Sequence, residues 1–360
     1  MAQPAERLLG DPELQFHSPA KAAGGHAGAR RIAILTPVLD DWESFTCLIS
    51  DIARHVDSAV AAIDVVAVDD GSVQHLTAGD LASLDVGDSI CSITVIRLAL
   101  NLGHQRAIAV GLSWIAKRED LDAVIVMDGD GEDRPADIIR LISTNLAQPD
   151  HVIMAHRSKR SEGMAFKAGY LVYKLLFRSL TGKNIAFGNF SLLPIAAVRR
   201  LVHVPDLWNN LPAAIMRSRL RFLEVGTIRG RRYAGQSRMN YASLVVHGFS
   251  AMSVYADVVF VRILMATSAV VGLVLAAMIA VLGVRFGTSL AIPGWATTVF
   301  GNLVIILAQA MVMIVATTLV VLANRSSRPL VPICDSPVFI AELISFAADR
   351  PKAVATAQAR

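Results

Sequence analysis

Residues 122–135 read DAVIVMDGDGEDRP. A short apolar run rich in β-branched residues passes straight into an acidic, glycine-bearing loop, which is the pattern of a buried strand ending at a polar edge. Working outward, similar runs recur at RIAILTPV 31–38, IDVVAV 63–68, SITVIRL 92–98 and HVIMA 151–155. Helix-like stretches at 104–118 and 135–146 lie between them. Strand, helix and strand at this spacing require right-handed crossovers, so the chain reads as an α/β fold with a mostly parallel sheet covered on both faces. Ligands of such sheets bind beyond the carboxyl ends of the strands.

Polar residues collect at those ends. Thr36, Pro37, Asp40 and Asp41 follow the first strand; Asp69, Asp70, Gly71 and Ser72 follow the second; Asp128, Asp130, Glu132 and Asp133 follow the fourth. Carboxylates gathered on one edge repel one another, so the pattern calls for a divalent cation and a ligand that donates hydrogen bonds. Gly129 and Gly131 let backbone approach a phosphate closely. The loop does not fit a helix-loop-helix calcium site, because its sixth position is Asp133 and its twelfth is Ile139. No phosphate-binding Walker loop, dinucleotide fingerprint or zinc-protease motif occurs in the sequence.

The whole chain is 360 residues, with room for about two units. Hydrophobic residues make up 54% and charged residues 18%, with a mean hydropathy of +0.49, which excludes a disordered chain or a coiled coil. The apolar excess is local. Ile263–Val284 and Phe300–Ala323 are uncharged runs, each long enough to cross a hydrocarbon core of roughly 30 Å. Arg229, Arg231, Arg232, Arg238 and Arg262 precede the pair, Arg325 and Arg328 follow it, and only Arg285 lies between. This asymmetry predicts a multi-pass inner-membrane protein whose catalytic head and both termini are cytoplasmic. Gln309 reads as a helix-to-helix hydrogen-bonding group, and the hairpin offers a route to a homo-oligomer. Residues 241–262, apolar but broken by His247, Asp257 and Arg262, read as a helix lying on the bilayer surface. A net charge of +4 is too mild for a nucleic-acid partner. Cys47, Cys91 and Cys334 lack metal-ligand spacing and read as reduced thiols. Residues 1–30 read as a disordered leader.

In this order and spacing, TPVLDD 36–41, VDDGS 68–72, NLGHQRAIAVGL 101–112, MDGDGED 127–133, AHRSKR 155–160, GNFSLLP 188–194 and RYAGQSRM 232–239 resemble the family-two glycosyltransferases. The resemblance is to the membrane-bound type that includes dolichyl-phosphate mannose synthase and bacterial polyprenyl-phosphate sugar transferases. It implies a glycosyltransferase A-type fold with a catalytic domain at 31–228. A basic loop and juxtamembrane helix at 229–262, a transmembrane hairpin at 263–324 and a cytoplasmic tail at 325–360 would follow. It further implies inverting transfer of a hexose from a nucleotide sugar to polyprenyl phosphate, undecaprenyl or dolichyl, at the cytoplasmic membrane face.

By resemblance, Pro37, Asp41, Asp69 and Asp70 would hold the nucleobase and ribose, with Gly71, Ser72, His104 and Asp128 in the same donor set. Asp128 and Asp130 would bind Mg²⁺ or Mn²⁺, helped by Glu132, which stands where the family often has Gln. Arg157, Arg160, Arg232, Ser237 and Arg238 match the basic acceptor-phosphate positions, Arg238 in place of a common Lys. Asp128, Asp130 and Asn189 form the catalytic set. Asn189 departs from the usual Gly-Asp-Phe, and an amide cannot act as a general base. That suits a phosphate acceptor, which is already ionised at neutral pH, better than a hydroxyl. His104 and Gln105 open a helix, where an anionic ligand is favoured and simple capping is the other reading. Two alternatives stay open: the same fold acting on a hydroxyl acceptor such as a glycolipid or growing glycan, and a non-catalytic membrane adaptor.

Overall fold

The computed structural model describes residues 29–77, 79–80, 84, 86–157, 175–183, 188–235, 248–288, 294–326 and 328–347. Eight strands form one sheet: β1 (Arg30–Val38), β2 (Ala61–Asp69), β3 (Ile90–Leu98), β4 (Ala123–Val126), β5 (Val152–Arg157), β6 (Ser191–Pro194), β7 (Phe222–Thr227) and β8 (Ile340–Ala347). Their spatial order is β7-β5-β6-β4-β1-β2-β3-β8. Pairing is parallel along β4-β1-β2-β3 and between β5 and β7, and antiparallel where β6 and β8 join. The five expected strands are all present. β6, β7 and β8 were not foreseen, being short or lying at the sheet's margins.

Every residue of β2 is buried, as a central parallel strand requires. Side chains on β1 alternate between two cores. Ile32 and Ile34 face Phe45, Leu48, Ile49 and Ile52 of α1 (Trp42–His55), whereas Ala33 and Leu35 face α2 (His104–Ile115). α2 presses hard on the sheet: a Cβ on Gly111 would stand 2.4 Å from Leu35 Cδ1. α3 (Ile138–Ala147) joins the α1 layer, while α4 (Ile195–Leu201) and α5 (Leu211–Arg217) join the α2 layer. At the amino ends of the strands, fully buried Asp64 is held by Arg31 Nε at 2.8 Å, Arg118 Nη2 at 2.7 Å and Ser92 Oγ at 2.6 Å.

α6 (Ala256–Gly287) and α7 (Trp295–Ser326) are helices long and apolar enough to cross a membrane, and they pack on each other. Large apolar side chains such as Leu273, Ile279, Phe286 and Val312 are exposed on them, so these are not core helices of the head. α6 begins at Ala256 rather than at 263. The described part of the expected surface helix therefore divides. Ala251, Val254 and Tyr255 share one helical face and are buried with Phe177 and Ala213, and 256–262 open α6. Arg217 clamps this joint, pairing with Asp206 at 3.1 Å and with Asp257 at 3.0 Å.

After α7 the chain re-enters the head. In α8 (Pro332–Asp335), the Ile333 N–H donates to Val202 O, Phe339 stacks edge-on against Trp208, and β8 pairs with β3. Within the expected cytoplasmic tail, residues 332–339 thus pack on the head and 340–347 are built into the sheet. The leader to residue 28, the loop at 289–293 and the chain end at 348–360 lie outside the described residues.

Candidate active site

The strand ends converge as anticipated, and the loops there are stitched to one another. The Asp69 carboxylate accepts from Ser72 N–H at 2.8 Å, and Ser72 Oγ accepts from Asp40 N–H at 2.9 Å. Asp40, at φ 45°, in turn accepts from Val73 N–H at 2.7 Å. Asp70 accepts from both Leu102 N–H at 2.7 Å and Gly103 N–H at 3.0 Å, tying down the turn that opens α2. Burial pushes the Asp70 carboxyl above its usual range, and these two donors partly offset that. Gly71, at φ +78°, must be glycine, since a Cβ would lie 2.8 Å from Asn101 N. The Asp-Asp-Gly-Ser run is therefore a brace among three loops, as well as a candidate donor contact. Pro37 sits at the end of β1, in register with Val68.

Residues 229–233 lie as a strap against the 128–133 loop. Gly230 N–H donates to Glu132 O at 2.8 Å and Tyr233 N–H to Asp130 O at 2.9 Å. Gly131, at φ +90°, has no room for a Cβ, which would stand 2.8 Å from the Tyr233 ring. The Tyr233 hydroxyl donates to Asp51 at 2.7 Å, and burial with that carboxylate pushes its phenol up. Arg232 then reaches into the acids, with Nη1 at 3.1 Å from Asp130 Oδ2 and Nη2 at 3.2 Å from Asp41 Oδ2. Burial, with help from Glu132 and Asp133, raises the Asp130 carboxyl's pKa, while Arg232 opposes the rise. Glu132 is drawn aside by Arg229 at 2.6 Å, and Asp133 accepts from Asp128 N–H at 3.0 Å.

A second polar cluster forms where antiparallel β6 delivers its amino end to the same edge. Asn189 Oδ1 accepts from Gln105 Nε2 at 2.9 Å, and Asn189 Nδ2 donates to His104 Nε2 at 2.8 Å. Gln105 Oε1 accepts from Leu211 N–H at 2.8 Å, anchoring the cluster to α5. Burial pushes the His104 imidazole down to about 4. Asn189 is thus held by both amide atoms, and the helix start carries side-chain amide and imidazole contacts rather than a bare capping turn.

Residues 45–200 match the sequence model of Glycosyl transferase family 2. Over that stretch, 156 of the 360 residues, the chain is similar to the family-two glycosyltransferases. Curated relatives include the undecaprenyl-phosphate 4-deoxy-4-formamido-L-arabinose transferases of Yersinia pestis (strain Pestoides F), 24% identical over 221 residues, and of Erwinia tasmaniensis, 25% identical over 227. Each match covers 60% of this chain, and 64% and 65% of the respective relative, so the chain spans less than two thirds of their length. Among solved structures, the glucosyl-3-phosphoglycerate synthase of Mycobacterium tuberculosis, in complex with Mn²⁺, UDP-glucose and phosphoglyceric acid, is 17% identical. That likeness has a TM-score of 0.44 over 65% of this chain and 79% of that one. The matched residues contain α2, β4, the acidic loop and Asn189 of the site just described. Its strap and its edge strand β8 lie beyond the matched residues.

Among the described residues no three His, Cys, Asp or Glu groups form a metal cage. Mg²⁺ characteristically takes one or two carboxylates and completes its shell with water and substrate phosphates, so Asp128 and Asp130 fit such an ion. Thr36 Oγ1 is buried with no hydrogen-bond partner among the described residues, and a Cβ on Gly129 would approach it to 3.0 Å, so the loop lies tightly over β1. Arg157 ends β5, while Arg160, Ser237 and Arg238 lie outside the described residues. Of the five acceptor-phosphate candidates, Arg232 is the one whose side-chain contacts are described, and it pairs with Asp41 and Asp130. Sequence reading did not single out Tyr233 or Arg97. Tyr233 lies inside the RYAGQSRM run, but nothing local points to its partner Asp51, and the partners of Arg97 on β2 and β8 are likewise distant in the chain.

Proposed function

We propose that this protein is an inverting, metal-dependent glycosyltransferase that moves a hexose from a nucleotide sugar to polyprenyl phosphate at the cytoplasmic membrane face. The observation that carries the reading is the bridging of Asp41 and Asp130 by one guanidinium. Two acidic loops from different strands lie within reach of a single cation, at the edge where an α/β sheet binds its ligand. The named activity of the curated relatives supports polyprenyl phosphate as acceptor.

Asp128 and Asp130 would hold Mg²⁺ or Mn²⁺, which when bound neutralises charge developing on a diphosphate leaving group. The rest is work for the chain's own groups. The brace around Asp69, Asp70 and Ser72 shapes the floor for nucleobase and ribose. Gly129 and Gly131 let backbone lie close to the diphosphate. Asn189 and neutral His104 orient polar groups of the sugar or acceptor without removing a proton. A lipid phosphate oxygen is a competent nucleophile without a base, whereas a sugar hydroxyl is not. Attack opposite the diphosphate in a single displacement inverts the anomeric centre.

The hairpin supports the membrane setting. The described residues before α6 and after α7 pack in one folded head, which supports both helix ends facing the same side of a bilayer. The arginine excess at those ends supports the cytoplasmic side.

Purified protein incubated with a panel of nucleotide sugars and undecaprenyl phosphate should form one glycosyl-phospholipid of inverted configuration. The reaction should stop with EDTA and in Asp128→Ala and Asp130→Ala. Efficient transfer to a hydroxyl lipid with the lipid phosphate inert, or turnover by both variants in EDTA, would overturn the assignment.

A further inference from the structure

The returning C-terminal strand places a charged residue in line with a donor-side carboxylate. Arg97 on β3 is in register with Asp69 on β2 and with Glu342 on β8, so one row of charges crosses three strands. Arg97 Nη1 donates to the Glu342 carboxylate. Its Nε is buried, has no hydrogen-bond partner among the described residues, and stands 3.7 Å from Asp69 Oδ2. Asp69 is fully buried; its other oxygen is committed to Ser72 N–H, and Oδ2 is hydrogen-bonded to His75 Nδ1 at 3.3 Å.

We propose that Glu342 is a positioning residue of the donor site, acting through Arg97 on Asp69. While Glu342 holds the guanidinium, Arg97 neighbours Asp69 without hydrogen-bonding it, leaving the carboxylate to hold the Ser72 turn and His75 beneath the nucleoside floor. Once Glu342 is neutralised, Arg97 is free either to collapse onto Asp69 in a bidentate pair or to swing toward solvent. Collapse draws the carboxylate away from Ser72 and His75, and departure leaves it without its neighbouring cation; both loosen the turn that shapes the nucleoside site and so weaken nucleoside binding. Because Glu342 is half exposed, the pair itself contributes little to folding. The inference rests on the reading of the brace around Asp69, Asp70 and Ser72 as the floor of the donor site. It also gives the strand beyond the membrane hairpin a part in the active site.

Full-length protein in detergent would be titrated calorimetrically with UDP, GDP, ADP, CDP and dTDP in Mg²⁺. Wild type should bind one of them. Glu342→Gln should bind it about tenfold more weakly at unchanged Tm, with donor KM raised, lipid KM unmoved and kcat within about twofold; Glu342→Asp should recover part of the loss. Ser345→Ala tests for general loosening of β8, since Ser345 meets Thr94 at 3.2 Å on the same strand pair, away from the charged row. Equal affinity in wild type and Glu342→Gln, or equal weakening in Ser345→Ala, would overturn the positioning role and leave the donor-site reading standing. Absence of binding of any nucleotide by wild type would overturn both.

Discussion

Asn189 Nδ2 donates to His104 Nε2 at 2.8 Å, so the imidazole nitrogen at this contact is an acceptor and the ring is neutral. The same amide accepts from Gln105, and the resulting cluster joins β6, α2 and α5 at the strand-end edge. Asn189→Asp replaces the donor with a carboxylate, which faces His104 favourably only if the ring takes up a proton. The His104 pKa should therefore rise from about 4 in wild type to above its ordinary value of about 6.5 in the variant, as read by NMR. Transfer to polyprenyl phosphate should stay within about tenfold, roughly 1.4 kcal/mol in the barrier, because no base is needed. A ring still neutral at pH 5 in the variant would show that the contact does not form.

The same residue makes stability pH-dependent with a defined sign. Burial depresses the folded pKa of His104, so protonation favours the unfolded chain. Its contribution is complete above about pH 6.5 and is lost progressively as pH falls toward 4. Comparing Tm of wild type and His104→Asn across that window should show the steeper acid loss in wild type. Parallel curves would refute this assignment.

Arg232 sits as a built-in cation between Asp41 and Asp130. Arg232→Ala removes a competitor for the acidic loop, so half-maximal activity should require less Mg²⁺, about threefold less for roughly 0.7 kcal/mol of relieved repulsion. Donor KM should change at least as much as lipid KM. A change confined to lipid KM, with the Mg²⁺ requirement unmoved, would return Arg232 to a purely acceptor-side role.

Asp64 provides a measure of the fold independent of the site. Asp64→Asn leaves Arg31 and Arg118 facing a neutral partner in a buried network, which should cost about 3–5 kcal/mol of stability. Residual folded protein should keep wild-type donor KM. A drop in Tm matched by a rise in KM would show that the amino ends of the strands communicate with the site.

A periplasmic reporter inserted between α6 and α7, at 288–294, should be active, and one fused after Arg360 should be inactive, because β8 ties the chain after α7 to the head. The reverse pattern would place the head away from the cytoplasm.

The parallel strands, the acidic loops at their ends and the two long apolar helices were legible in the sequence. Each is written in a local pattern, as β-branched runs, as glycine and aspartate at a strand end, or as an unbroken uncharged stretch. Asn189 was visible as a departure from a motif, but its hold on His104 and Gln105 depends on β6 running against its neighbours. The joint at Tyr255 read as a surface helix because apolar periodicity is the same whether a bilayer or Phe177 covers it. The motif that holds Arg232 carries no direction, and only the strap's packing over Gly131 shows that its guanidinium lies between Asp41 and Asp130. β8 was hidden for a related reason. IAELISFA 340–347 has no nearby strand to pair with, and its partner β3 lies beyond the whole membrane hairpin. Local propensity follows from neighbouring residues in the chain, whereas register across such a separation is decided only when the sheet assembles.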